Sequence, residues 1–206
     1  MIGVIDLGRG NIGSVVNALK FLGESPCVLD SPRRINDCKK ILLPGVGSFF
    51  SSMTELKMRK FPEALRGFAA HGGSILGICL GMQLLASSGT ENGKIEGLNL
   101  IPGKVRRMSP PDGFRVPHVG WNGVNRKQRH PIFQGVKEGV DFYFTHSFIF
   151  EVDDPSHAVG STNYGEAFTS VIVSGNVWGV QFHPEKSQKN GLRILKNFLE
   201  EGTAEC

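Results

Sequence analysis

The chain has 206 residues, 40% of them hydrophobic and 20% charged, an ordinary globular composition with enough length to bury one substantial core. Its 23 basic and 19 acidic residues leave a net charge of +4, and the densest basic runs, 104–107 and 126–129, carry few aromatics between them, which argues against a nucleic-acid surface. No run of about 18 apolar residues is available to span a bilayer, and the first residues lack the basic flank, apolar stretch and small-residue site of a secretion signal; the expectation is one domain over 1–206, unexported, that binds neither nucleic acid nor membrane.

In chain order, residues 1–6 read as a strand and 11–22 as a helix with Val15, Val16, Leu19 and Leu22 on one face. Strands are expected at 26–30 and 40–43, helices at 53–58 and 62–71, a strand at 74–78 and a helix at 80–86. Strands alternating with helices imply parallel pairing through right-handed crossovers. The pattern then changes to short β-rich pieces at 116–118, 143–150, 168–173 and 177–182, punctuated by glycine and proline, before an amphipathic helix at 191–199. The expected fold is a three-layer α/β sandwich with a mostly parallel central sheet and an antiparallel extension.

The loop after the first strand holds Gly8, Gly10 and Gly13, with Asp30 ending the second strand. That is the spacing of a dinucleotide-binding fingerprint. Three glycines at such a spacing are cheap in a chain with 27 of them, so the chemistry has to be sought where several motifs agree.

The densest motif is "SILGICLGMQLL" (residues 74–85), in which Gly77-Ile78-Cys79-Leu80-Gly81 has the G-x-C-x-G form of a nucleophile elbow with sulfur in place of the serine oxygen. A sharp strand-to-helix turn holds the nucleophile in strained backbone geometry, and a side chain at either glycine would collide with the neighbouring strand or helix. Cys79 is then expected at a helix N-terminus, where free N–H groups and the helix dipole favour its thiolate, and the Leu80 N–H is placed to donate to an oxyanion. The four cysteines (27, 38, 79 and 206) show no CxxC or metal-like spacing, so neither a disulfide framework nor a metal site is expected, and a reducing cytoplasm is the natural setting. Cys27 reads as a structural thiol.

A cysteine nucleophile needs a base, and "WGVQFHPEKS" supplies His183 just past a strand, with Glu185 two residues on. In extended chain, residues i and i+2 point the same way, so Glu185 is expected to reach the imidazole nitrogen that faces away from the thiol. Cys79, His183 and Glu185 thus form a triad in role. In "LLPGVGSF" (residues 42–49), glycines on both sides of Val46 free the backbone to turn an N–H inward as a second oxyanion donor; an ordinary strand-terminal turn is the alternative reading.

"LLPGVGSF", "GICLGMQLL" and "GVQFHPEKS" together resemble the class I, triad-type glutamine amidotransferases, over nearly the whole chain. The resemblance implies a flavodoxin-like α/β fold and hydrolysis of L-glutamine through a cysteine thioester, with ammonia passed to a synthase and no cofactor. Within the class, "VPHVGWN" (116–122), "FYFTHSF" (142–148) and "VQFHPEKSQKNGLRILKNF" (180–198) are similar to the glutaminase subunits of imidazole glycerol phosphate synthases, which work in histidine biosynthesis in a heterodimer with a (β/α)8-barrel cyclase. By that resemblance Gly45, Gly47 and Gln83 line the glutamine pocket, with His146 and Ser147 near the α-amino acid end; from the residues alone, His146 is equally a satisfied strand histidine and Ser147 ordinary surface. Asn11, Trp121 and Asn122 are implied at the partner interface, and the glycine-rich first loop is implied to face the partner rather than a pyrophosphate. Leu7 departs from the tyrosine usual after the first aspartate. Paralogues that supply ammonia for amidation of surface-polysaccharide sugars share most of these motifs, and a catalytically silent binding protein or a γ-glutamyl hydrolase on a related fold are further alternatives.

Overall fold

The computed structural model describes residues 1–8 and 12–202, so Gly10 of the first loop and Asn11 lie outside the described residues. The first half runs β1 (Ile2–Ile5), α1 (Ile12–Phe21), β2 (Cys27–Leu29), β3 (Lys40–Gly45), α2 (Phe49–Met58), α3 (Phe61–Ala70), β4 (Ser74–Cys79) and α4 (Leu80–Leu84). Two short strands follow, β5 (Ser88–Gly89) and β6 (Ile95–Glu96), then β7 (Gly103–Arg107), β8 (His118–Gly123), β9 (Asn125–Arg126), β10 (Asp141–His146), β11 (Phe148–Val152), β12 (Ala158–Tyr164), β13 (Glu166–Ser174), β14 (Val177–Val180) and the closing helix α5 (Gln188–Glu200).

One large sheet has the order β2-β1-β3-β4-β14-β13-β11-β7-β5-β6, with β12 alongside β13 and β9 alongside β12. The pairs β2–β1, β1–β3, β3–β4 and β4–β14 are parallel, and antiparallel pairing begins at β14–β13. Period-two alternation divides the buried side chains between two cores. Val4, Leu42, Leu76, Ile78, Trp178 and Val180 pack with Val15 and Leu19 of α1 and Ile194, Leu195 and Phe198 of α5. Ile5, Ile41, Leu43, Ile75 and Val177 face the opposite way, onto α2, α3 and α4 through Phe49, Met53, Leu65 and Met82. These are the three layers expected, with the mostly parallel sheet in the middle.

The second half departs from expectation in detail. Only His118 of the piece expected at 116–118 is in a strand, because β8 begins after Pro117, which has no N–H to give a ladder. The run at 143–150 is two strands: β10 pairs with β8 in a separate two-stranded sheet, and β11 joins the large sheet, the chain crossing between them at Ser147. Alternation of apolar residues carries no mark of which sheet a strand joins, so a period-two reading runs through such a crossing. Helix α2 starts at Phe49, four residues before the expected start, because the Ser48 hydroxyl accepts the Ser51 N–H and caps it.

Two glycines set opposite limits on the layers. Gly67 in α3 has open space around the position of a Cβ, whereas at Gly81 a Cβ would run into the Leu43 carbonyl of β3. Gly67→Ala is therefore expected to stabilise the fold by about 0.5–1 kcal/mol through helix propensity, and Gly81→Ala to cost more than about 3 kcal/mol, since backbone rather than a flexible side chain must give way. Chemical denaturation of the two variants checks both signs.

Candidate active site

The parallel strands β3, β4 and β14 end side by side, which gathers Gly45, Cys79 and the segment leading to His183 at the carboxyl edge of the sheet, the usual place for a ligand in an open α/β fold. Cys79 sits at the turn from β4 to α4 with φ 54° and ψ −111°, a backbone conformation that costs a non-glycine residue of order 1–3 kcal/mol. The flanking glycines account for how it is held. A Cβ at Gly77 would lie 2.7 Å from the Gly81 carbonyl oxygen and from the backbone of Met82, and one at Gly81 would meet Leu43. The elbow expected from G-x-C-x-G is present, but α4 is only five residues long. The stabilisation of a thiolate expected from a helix dipole is accordingly small here, because few peptide dipoles are aligned.

His183 lies beside this turn, its ring buried, and its Nδ1 is 2.8 Å from Glu185 Oε1. The geometry differs from the extended chain expected, because residues Pro184–Lys186 form a 3-10 turn that swings Glu185 back onto the ring. The turn is clamped from β10: the His183 N–H donates to the Tyr143 carbonyl at 2.9 Å, and the Ser187 hydroxyl donates to the His183 carbonyl while accepting the Tyr143 N–H. His183 Nε2 has no hydrogen-bond partner within the described residues and remains free for the reacting groups. Burial alone would lower the imidazole pKa, but Cys79 and Glu185 outweigh it and raise the value to about 10, favouring an imidazolium.

A cavity of about 310 Å³ opens over Cys79. Val46, Gly47, Leu80, Gln83, His146, Ser147 and His183 all line it, so most of the residues singled out from the sequence converge there. Gly45 does not. As the last residue of β3 it lies in register with Cys79, and a Cβ there would be 3.3 Å from Leu80 Cβ; its smallness serves packing of the elbow. Gly47, with φ +104°, requires the conformational freedom of glycine.

His146 lines the cavity, but both of its ring nitrogens are engaged. Nδ1 is 2.9 Å from the Phe148 carbonyl oxygen and Nε2 is 3.1 Å from His118 Nδ1. The carbonyl requires Nδ1–H, which makes Nε2 the acceptor of the His118 Nδ1–H. Burial pushes both rings down, His146 to about 3 and His118 to about 4, so the pair is neutral. Both ring nitrogens are thus satisfied within the protein, while the ring itself still lines the cavity.

Two further groups, Glu91 in the cavity wall and Gln181 buried beside the Cys79 sulfur, were not singled out from the sequence. Glu91 reaches in from the segment between β5 and β6, accepting the Phe49 N–H at 2.7 Å; burial raises its carboxyl pKa, partly offset by that bond. Gln181, in "GVQFHPE", is completely buried and donates to the Cys79 sulfur at 3.8 Å. A glutamate in a loop and a glutamine just past the end of β14 show no periodic pattern that separates them from ordinary residues.

Around the mouth, Val119 and Trp121 are exposed on β8, opposite Thr145 and Tyr143 of β10. Asn122 is turned inward: its Nδ2 donates to the Asn163 carbonyl at 2.9 Å and lies 3.4 Å from His118 Nε2, and its Oδ1 accepts the Gly123 N–H. At the first loop, where a dinucleotide would lie, the Arg59 guanidinium occupies the crevice between the ends of β1 and β2, donating to the Asp6 and Asp30 carbonyls. Among the described residues no group of three or more His, Cys, Asp or Glu could hold a metal, and no helix is long and apolar enough to cross a membrane.

The family model for class-I glutamine amidotransferases matches residues 3–201. The imidazole glycerol phosphate synthase subunit HisH of Moorella thermoacetica is 45% identical over 97% of this chain and 94% of its own length, and the proteins of the same name from Symbiobacterium thermophilum and Sulfurimonas denitrificans are each 44% identical, over 95% and 96% of this chain and 91% and 97% of their own lengths. Among solved structures, that of PurLQS from Thermotoga maritima superposes with a TM-score of 0.77 at 19% identity, over 97% of both chains, and a structure described as a glutamine amidotransferase superposes at 0.74, also at 19% identity and over 97% of both; likeness at that identity speaks to the fold. With the family model covering nearly the whole chain and an elbow cysteine beside a His–Glu pair at the sheet edge, this protein belongs to the class-I glutamine amidotransferase family.

Proposed function

We propose that the chain is the glutaminase subunit of an imidazole glycerol phosphate synthase, hydrolysing L-glutamine and passing the ammonia to a (β/α)8-barrel cyclase. The observation that carries the reading is the cavity over Cys79, in which a strained thiol faces the free Nε2 of a buried His–Glu pair. Identity of 41–45% to HisH proteins over nearly the full chain favours the histidine pathway over a polysaccharide paralogue.

In this reading the Cys79 thiolate attacks the side-chain amide carbon of glutamine, and the resulting oxyanion is held by the N–H groups of Leu80 and Val46. His183, as imidazolium, protonates the departing nitrogen, which leaves as ammonia and a thioester. The thioester no longer carries the thiolate charge that raised the pKa of His183. The same ring, still oriented by Glu185, then accepts a proton from water as the water attacks, and glutamate and the thiolate are regenerated. Glu91 supplies an anionic partner for the α-ammonium of glutamine. Exposed Val119 and Trp121 offer the cyclase an apolar surface beside the mouth, and free thiols at Cys27, Cys38 and Cys79 suit a reducing cytoplasm.

Cys79→Ser in complex with the cyclase is expected to abolish synthesis from glutamine and to leave synthesis from added ammonium salts intact, because the acceptor chemistry lies in the other subunit. Glutamate release at the unmodified rate would remove Cys79 from the nucleophile role. In the same variant, NMR titration of His183 should find a pKa well below about 10, since Cys79 is one of the two groups that raise it; Glu185→Gln should move it the same way. The glycines around Val46 let its peptide take two orientations at modest cost, so a partner that biases the loop would complete the oxyanion hole. One such donor contributes roughly 10² to 10³ in turnover, and the cyclase with its ligand bound is expected to raise kcat by at least about 10², with a smaller change in KM. Steady-state glutaminase assays with and without the loaded cyclase measure the split.

A further inference from the structure

Behind Cys79, on the side away from His183 in the chain of hydrogen bonds, lies a pair of amides. Gln181 is completely buried and Gln83 nearly so. The Phe148 carbonyl oxygen is 2.9 Å from Gln83 Nε2 and, being an acceptor only, fixes which end of that amide faces it. The second hydrogen of Gln83 Nε2 goes to Gln181 Oε1 at 3.0 Å. Gln181 must therefore turn its nitrogen the other way, where it meets the Cys79 sulfur at 3.8 Å. Flipping Gln181 would set its NH2 against the NH2 of Gln83 and its oxygen against the sulfur, so one polarity alone satisfies the whole set.

The rest of the sulfur's surroundings show what that N–H is for. As a neutral thiol, Cys79 donates to the Thr145 carbonyl oxygen at 3.7 Å; once ionised, it has only a carbonyl lone pair in that direction. The five-residue α4 aligns few dipoles toward it. The titratable groups facing it are His183, with Glu185 behind, the neutral His146 on β10, and Glu91 across the cavity. His183 Nε2 is left without a partner, and among the described residues Gln181 is the side chain whose N–H donates to the sulfur. Its bond strengthens as charge appears on sulfur, in the free thiolate and again when thiolate leaves the thioester.

We propose that Gln181 is a catalytic residue that stabilises the Cys79 thiolate by hydrogen bonding, and that Gln83 is the positioning residue that fixes the polarity of its amide. The proposal rests on the glutaminase reading for its purpose, and its test does not use glutamine.

The rate of Cys79 alkylation by iodoacetamide, followed against pH on the full chain and read by mass spectrometry on the peptide carrying Cys79, reports the thiolate fraction. Gln181→Met keeps length and burial while removing the N–H. Its alkylation midpoint is expected to rise by about one pH unit, making alkylation roughly tenfold slower well below the midpoint, with thermal melting as the check of folding. Gln83→Met should raise the midpoint by less, because Gln181 is then released from its fixed polarity. A folded Gln181→Met with an unmoved midpoint overturns the proposal, and if that variant does not fold, an unmoved midpoint in folded Gln83→Met overturns it equally. Midpoints that move as expected in a protein that, with its cyclase, turns over no glutamine would instead refute the glutaminase reading and leave the thiolate donor standing.

Discussion

The close approach of α4 to β3 is the constraint on which the rest of the site depends. At Gly81 the helix backbone comes so near the Leu43 carbonyl that no side chain fits, and at Gly77 the strand comes too near the helix's first turn for a Cβ as well. With both elements pressed together, the connection has no length in which to relax, and Cys79 is held in a left-handed conformation it would not choose alone. The strain is sustained by two well-filled cores, one on each face of the sheet. The outcome is a thiol fixed at the sheet's edge, aimed into a cavity.

Three elements far apart in sequence then supply what the thiol lacks. β14 and the turn beyond it bring His183 and Glu185, already paired and clamped to β10. β10 and the start of β11 bring carbonyls: that of Thr145 faces the neutral thiol, and that of Phe148 orders the two glutamine amides. β3 brings the Val46 loop. In the proposed reaction the site has a division of labour that follows from chemistry: His183 would move protons and change charge, while the buried amides and the neutral His118–His146 pair would keep theirs throughout. Groups that do not titrate near neutrality can hold a fixed electrostatic frame around one that does.

The antiparallel pair of β8 and β10 joins this frame to the surface. Val119 and Trp121 point outward, whereas His118 and Asn122 on the same strand point inward and are hydrogen-bonded, His118 to His146. A partner seated on the outer face of β8 therefore presses on a strand whose inner face contacts the lining of the cavity. That continuity gives the proposed stimulation by a docked cyclase a physical route, through a rigid strand and not through a long flexible loop.

Much of this was legible in the chain. The alternation of strands and helices up to α4, the G-x-C-x-G elbow, the His–Pro–Glu run and the glycines around Val46 are all local patterns, because strand–turn–helix geometry and close backbone contact demand particular residues at fixed spacing. Their convergence could be expected as well, since parallel strands align their carboxyl ends. Other features were decided only in three dimensions. That the segment 143–150 splits between two sheets, that Glu185 reaches His183 through a 3-10 turn, and that Gly45 serves packing while Asn122 turns inward all depend on neighbours remote in sequence. The clearest case is Gln181. Nothing in "GVQF" distinguishes it, and its meaning arises because the Phe148 carbonyl, 33 residues before it, dictates the direction of one amide and thereby of the next. Periodicity and spacing report how a segment sits against its own backbone; the direction of a buried hydrogen bond is set by whichever acceptor the fold places opposite, and only the tertiary structure supplies that acceptor.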